Sequence, residues 1–366
     1  MSDDLLYQIA LSQVPTIGDV HARILITHFG NAQRVFAASK RSLEKLEGLG
    51  SVRTNAIKSY TQFADCEHEL RFIEKYYITP VFLTDKDYPR RLLNCYDAPP
   101  LLYFKGNADL NASKIVSIVG TRNSSEYGKF VCDSLIEGLT QQSVIVVSGL
   151  AFGIDTIAHK AALKNGLSTV GVLAHGLDRI YPSQNKSLAK QMCEQGGLLT
   201  EFKSGTNPDR ENFPRRNRIV AGLCDCIVVV ESSARGGSLI TAELSNSYNR
   251  DVFAVPGRIM DVKSEGCNYL IKQNKANIVT SANDVIEFMN WNENSKIIVK
   301  KQRELFVELS DEEQKVLDII NAAESTSVDT IFIKSGLSSS NVAASLLSLE
   351  MHGLINTLPG KMYKST

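Results

Sequence analysis

Lys114-Ile-Val-Ser-Ile-Val-Gly-Thr-Arg122 is the stretch on which the fold turns. Ile115–Val119 is an unbroken apolar or small run, which reads as a strand buried on both faces. Gly120 then permits a tight turn, and a helical pattern follows from about 126. The same unit recurs downstream. Val144–Val147, Thr169–Leu173, Leu198–Glu201, Cys226–Val230, Val252–Val255 and Asn277–Thr280 are predicted strands. Helices are predicted near 126–140, 154–164, 185–195, 214–222 and 238–249. Strand–helix alternation of this length predicts an α/β fold, an extended Rossmann-like doubly wound sheet, mostly parallel and covered on both faces.

Outward from this core, residues 66–110 are a transition. It has a helix through Tyr76, a short strand at Pro80–Leu83, and a loop holding Tyr88-Pro89 and Ala98-Pro-Pro-Leu-Leu-Tyr-Phe104. Residues 1–65 are predicted helical, because Leu5, Ile9, Leu25, Phe29, Val35, Leu43, Leu46 and Ile57 recur at helical spacing. Toward the other end, 290–309 is polar and reads as a linker. In 310–366, Ser310-Asp-Glu-Glu313 is a capping box before a first helix. Two more helices and a Gly/Pro hairpin at Leu354–Tyr363 give the order of a winged helix. The expected units are therefore 1–65, 66–289 with the sheet, the linker 290–309 and the winged helix 310–366.

Bulk composition narrows the function classes. The 366 residues carry 40 Lys and Arg against 40 Asp and Glu, so any basic binding surface is local. No cysteine spacing resembles a zinc site, and the scattered thiols suit a reducing cytosol. Met1-Ser-Asp-Asp-Leu5 does not read as a signal peptide, and no apolar run approaches a membrane span. A cytoplasmic protein with no metal and no cofactor is expected.

In an open parallel sheet, ligands bind beyond the C-terminal strand ends. After the first strand, Gly120, Thr121 and Arg122 form a turn whose backbone N–H groups and arginine suit an anion, with Ser124 or Ser125 as the helix cap. After the second, Ser148, Gly149 and Gly153 form another cradle at a helix start. The alternative for both is an ordinary tight turn. His159 reads as a packing residue, and a His175–Asp178 acid/base pair is disfavoured without a nucleophile elbow. Asn185 suits a helix cap. The densest feature is Asp209-Arg-Glu-Asn-Phe-Pro-Arg-Arg-Asn-Arg218. Pro214 suits a helix start; Arg215 and Arg218 share a helix face, with Arg216 flanking and Arg210 and Asn217 nearby. Arginine forks grip phosphates and Phe213 can stack on a base. A solvated basic helix start, balanced by Asp209 and Glu211, is the alternative. Gly236, Gly237 and Ser238 open one more helix. Several such helix starts along one edge point to an extended anionic ligand. No P-loop occurs, the first turn lacks GxGxxG and no acidic residue ends the second strand at Ser148, so nucleotide sites of those kinds are disfavoured.

Five ordered motifs carry a resemblance. They are Ser117-Ile-Val-Gly-Thr-Arg122, Ser148-Gly-Leu-Ala-Phe-Gly-Ile-Asp-Thr-Ile-Ala-His159, Phe213-Pro-Arg-Arg-Asn-Arg-Ile-Val-Ala-Gly-Leu223, Gly237-Ser-Leu-Ile-Thr-Ala242 and Val252-Phe-Ala-Val-Pro-Gly257. Over about 80–280 the chain resembles the DprA/Smf family of DNA-processing proteins. The resemblance implies a non-enzymatic single-stranded DNA binder that protects incoming strands in natural transformation and helps load RecA. It implies a homodimer, and places Arg122, Arg210, Phe213, Arg216 and Arg218 at the DNA pocket. It also likens 1–65 to a SAM or helix-hairpin-helix domain, with Leu46-Glu-Gly-Leu-Gly-Ser-Val52 as the hairpin. The winged helix departs from a DNA binder, since Ser338–Glu350 carries no Lys or Arg, and weak duplex binding or a protein contact is expected there. The competing reading is a phosphoribohydrolase-like enzyme acting on nucleotides. Gly236-Gly-Ser-Leu-Ile-Thr-Ala-Glu243 keeps that family's glycine pair and glutamate, but Leu239 and Ile240 replace its internal Gly-Thr.

Overall fold

The computed structural model describes residues 4–292 and 309–366; positions 293–308 of the expected linker lie outside the described residues. The chain opens with six helices: α1 (Asp4–Gln13), α2 (Asp19–Phe29), α3 (Ala32–Ala37), α4 (Lys40–Glu44), α5 (Gly50–Lys58) and α6 (Phe63–Lys75). Leu25, Val35, Leu43, Leu49 and Ile57 close their shared core.

Next come β1 (Thr79–Phe82), α7 (Arg90–Leu93), β2 (Leu101–Gly106), β3 (Ile115–Val119), α8 (Glu126–Gly138), β4 (Ile145–Ser148), α9 (Ile154–Lys164), β5 (Thr169–Val172), α10 (Lys186–Glu194) and β6 (Gly196–Thr200). They are followed by α11 (Asn212–Gly222), β7 (Cys226–Val229), α12 (Gly237–Ser247), β8 (Asp251–Ala254), α13 (Glu265–Lys272), β9 (Asn277–Ile278) and α14 (Ala282–Phe288). The nine strands form one sheet in the order β1-β2-β6-β5-β4-β3-β7-β8-β9. β1–β2 and β2–β6 pair antiparallel, and every other pair is parallel. Alternate residues feed two cores: Ile115 and Val119 face one, Val116 and Ile118 the other. Burial on both faces explains the continuous apolar strands.

One expectation fails. Leu101–Phe104, read as loop, lies in β2. Leu102 and Phe104 pack into the core under the sheet, while Leu101 and Tyr103 pack into the core of the N-terminal helices. A strand between two cores shows no polar alternation, and the preceding Pro99-Pro100 reads locally as loop.

Strand order reverses at β3. The chain moves outward through β4, β5 and β6, then α11 crosses back and β7 docks on the other side of β3. This switch point leaves a crevice beyond the C-terminal ends of the central strands.

The last unit is α15 (Asp311–Asn321), β10 (Thr326–Ser327), α16 (Val328–Ser335), α17 (Ser339–Met351), β11 (Ile355–Leu358) and β12 (Met362–Ser365), a winged helix. Ser310 and Glu313 make the capping box. The wing tip rests on the sheet domain: Gly360 stands against the Arg250 guanidinium, and Arg90 pairs with Glu324 at 3.7 Å. Among the described residues no helix is long and apolar enough to cross a membrane, and no cluster of metal-ligating side chains occurs.

Candidate nucleic-acid interface

A cavity of about 580 Å³ opens at the switch point. Gly120 and Arg122 reach it from the end of β3, Gly149 from β4, and Gly237 and Ser238 from the start of α12. Arg210 joins from the loop before α11. From α11 come Phe213, Arg216, Asn217 and Val220, one helical stripe at spacings of three and four. Helix α11 begins at Asn212, so Pro214 sits within its first turn, where no intrahelical N–H is needed.

At the mouth, the Arg122 guanidinium lies 5.1 Å from the centre of the Phe213 ring. The Tyr181 ring meets Phe213 edge-on at 6.2 Å. Arg122 and Arg210 are exposed, and Arg210 makes no ion pair among the described residues. Arg216 is only 6% exposed. Its guanidinium donates to the Val172 carbonyl and to Asn217 Oδ1, and burial pulls its pKa down while Asp155 opposes that. Burial likewise pushes the Asp155 carboxyl up, against the pull of Arg216. A Cβ on Gly149 would stand 2.3 Å from Arg216 Nη1 and 2.4 Å from Asp155 Oδ2. Glycine at 149 is thus what lets the buried cation reach the cavity. The residue at the N-cap of α12 is Gly236, so the first backbone N–H groups of that helix have no side-chain cap, and Ser238 in its first turn donates to Ser232 Oγ at 2.9 Å. A planar ring, two exposed cations, one buried cation and a helix start converge on one opening. That set suits a base on Phe213 and phosphates on the arginines.

A family model described as DNA recombination-mediator protein A matches residues 79–290, and a DprA winged-helix model matches 304–361. This chain belongs to the DNA recombination-mediator protein A family. It is 33% identical to Protein Smf of Synechocystis over 98% of both chains. The solved DNA processing protein A of Streptococcus pneumoniae superposes with a TM-score of 0.63 at 34% identity, over 78% of this chain and 98% of that one. DNA processing protein A of Helicobacter pylori, solved for its single-stranded DNA binding mode, gives 0.54 at 27% identity, over 59% and 96%.

Other expected site residues of this family member lie elsewhere. Arg218 points away from the cavity. Its guanidinium pairs with Glu201, with Asp19 of α2 at 3.1 Å, and donates to the Asp97 carbonyl. Arg215 leans on the Phe202 ring and the same Glu201. Both take the α11 face opposite the Phe213 stripe, where Glu201 and the N-terminal helices collect them. Ser148 is fully buried and donates to the Ile118 carbonyl. Thr121 is tied down too: its carbonyl accepts Ile154 N–H and its N–H donates to the Glu231 carbonyl. Gly153, at φ +75°, lets α9 press against that turn, since a Cβ would sit 2.2 Å from Thr121 O.

The anion expected at the start of α8 is internal. Buried Glu231 accepts from Ser125 N–H at 2.9 Å and from its hydroxyl, while Ser125 Oγ caps Gly128 N–H. Asn185 does not cap α10 with its side chain; it donates to Leu150 O and Thr156 Oγ1. His159 is a packing residue. Its Nε2 meets the Gly149 carbonyl, which only accepts, so Nε2 carries the proton and Nδ1 faces Thr169 Oγ1 at 2.7 Å. His175 is held by Gly176 O and Tyr181 N–H, not by Asp178. Glu243 pairs with Lys275 outside the cavity, and Leu239 packs on the core.

Tyr181, Asp155 and Ile240 line the cavity without having been singled out as ligand contacts. The tyrosine carried a weak signal, an aromatic before Pro182 in a loop after β5. Nothing local marks Asp155.

Proposed function

We propose that this chain holds single-stranded DNA at the switch-point cavity, through Arg122, Arg210, Phe213 and Arg216, as a recombination mediator without catalytic activity. The Arg122–Phe213 pair beside the buried Arg216 carries the reading. A base has a flat apolar face and a strand has regularly spaced phosphates, and this mouth offers a ring and cations for both. The Helicobacter pylori relative's single-strand binding supports it. Gly120, Gly149, Gly237 and Ser238 shape the wall and let the backbone approach the strand; Asn217 orients Arg216. Arg215, Arg218, Ser148, Thr121 and Gly153 act as supports. The role extends to protecting incoming DNA in natural transformation and loading RecA, by a cytoplasmic homodimer joined through the sheet domain.

Fluorescence anisotropy with oligonucleotides over a salt series tests the site. Arg122→Ala should weaken binding to all sequences and reduce the salt slope by about one. Phe213→Ala should cost about 1–3 kcal/mol with the salt slope kept. Unchanged affinity in both variants would refute the assignment. Assembly of RecA on strands precovered by single-strand binding protein, with and without this chain, tests the loading role, and sedimentation tests the dimer.

A further inference from the structure

We propose that the loop Gly257–Ser264 is a second contact for the same strand, an apolar wedge that takes bases leaving the Phe213 cavity; this rests on the single-strand reading above. The loop follows β8, the strand beside β7, at the same sheet edge. One residue joins it to the cavity wall. Ser232 donates its N–H to Lys263 O at 2.8 Å and accepts Gly266 N–H at 2.8 Å, while its hydroxyl takes the hydrogen bond from cavity-lining Ser238.

The loop presents apolar side chains to water. Ile259 is 89% exposed and Met260 92%, with Val262 beside them. They are not on a loose tether. Asp261 N–H bonds Arg258 O at 3.0 Å, Ser264 N–H bonds Asp261 O at 2.9 Å, and Lys263 N–H bonds Asp261 Oδ1 at 3.1 Å. Asn268 clamps Gly257 through both its N–H and its carbonyl, and Tyr127 donates its hydroxyl to Pro256 O at 2.9 Å. A chain that fixes a loop this firmly and leaves Ile and Met outward holds apolar surface ready for a partner. The cations beside them define that partner. Arg258 is exposed next to Ile259, and Arg235 is exposed on the neighbouring loop before α12; neither makes an ion pair among the described residues. Apolar tips with flanking arginines match a strand, whose base faces are apolar and whose backbone is anionic. They continue the order of groups at the cavity itself, ring and then guanidinium.

The test uses the full chain, the variant Ile259→Ser/Met260→Ser, and oligothymidines of about 5 and about 20 nucleotides. Both changes are at exposed tips, so the fold is kept. The variant should bind the longer strand about tenfold more weakly and the shorter one unchanged. Met260 in wild type should be protected from peroxide oxidation by the longer strand and not by the shorter. Equal weakening at both lengths, no weakening at either, or an altered sedimentation mass with affinities unchanged would overturn the proposal, the last marking a contact between copies of the chain. Phe213→Ala should weaken both lengths. If it weakens neither, the cavity assignment falls; if it does and the loop variant changes nothing, the loop proposal alone falls.

Discussion

Replacing Arg218 by methionine separates two readings of the arginine segment. The Arg218 side chain is 8% exposed and that of Glu201 5%. Arg218→Met keeps the length and apolar volume but leaves buried Glu201 only the more exposed Arg215 at 3.3 Å, and leaves Asp19 and the Asp97 carbonyl without their donor. Removing one member of a buried pair costs about 3–5 kcal/mol when the remaining charge is left largely uncompensated, and a solvent-exposed arginine such as Arg215 offsets little of it. For a domain of this size that is a melting-temperature loss of roughly 6–20 °C. The loss has a pH signature. Burial already pushes the Glu201 carboxyl up, and Arg218 is the strongest influence holding it down. Without Arg218 the folded-state pKa rises further above the unfolded one. A carboxyl raised on folding contributes its stability below the unfolded pKa and loses it as pH rises through the folded one. The penalty of Arg218→Met is therefore smaller near pH 5 than near pH 8. Glu201→Gln added to it should restore most of the stability. The assay is thermal unfolding by circular dichroism at several pH values, with anisotropy on a single-stranded oligonucleotide well below the melting temperature. Binding at that temperature should stay within about threefold of wild type. A variant that keeps its melting temperature and loses its DNA affinity would refute the reasoning and return Arg218 to the interface.

Gly149→Ala would drive a methyl group into the Arg216 guanidinium and Asp155, and should lower single-strand affinity by about tenfold or more; unaltered binding would show that Arg216 does not serve the strand. Burial holds the His159 imidazole down at about 4, from the usual 6.5. The unfolded ring takes up a proton the folded one refuses, so wild type should lose about 3 kcal/mol relative to His159→Gln as pH falls from about 6.5 to about 4. Parallel stability profiles for the two, followed by denaturant unfolding, would contradict a buried neutral histidine. Wild type should bind duplex DNA weakly, because α17 carries no Lys or Arg and the wing tip rests against Arg250. Ser340→Lys/Ala344→Lys should then raise duplex affinity, measured by the same anisotropy; duplex binding as tight as single-strand binding in wild type would overturn this.

Much of the architecture was legible because it is local. Unbroken apolar runs such as Ile115–Val119 and Val170–Val172 can bury both faces only in a covered parallel sheet, and Ser310–Glu313 signals its helix directly. Gly120 and Gly149 were legible as turn glycines of the site. Leu101–Phe104 was not, because two cores that meet on one strand leave no periodicity to read. The occupant of the α8 start, beyond the Gly120–Arg122 turn, was not legible for a related reason. The carboxylate that satisfies that helix start, Glu231, lies more than a hundred residues downstream and arrives only when β7 docks beside β3.

The arginine segment marks the boundary between the two kinds of information. By itself the sequence determined that residues near 214–222 form a helix with arginines near its start, and which side chains share a face, since helical spacing is a local property. It did not determine which face meets the cavity. That choice belongs to the crossover from β6 to β7, which lays α11 across the switch point with Phe213, Arg216 and Asn217 toward the cavity. The opposite face meets Glu201 at the end of β6 and Asp19 on α2, and their carboxylates claim Arg218. Arginines three residues or fewer apart thus lie in opposite settings, Arg216 at the cavity and Arg215 and Arg218 on Glu201, because a guanidinium is committed by whichever anion the fold brings to it.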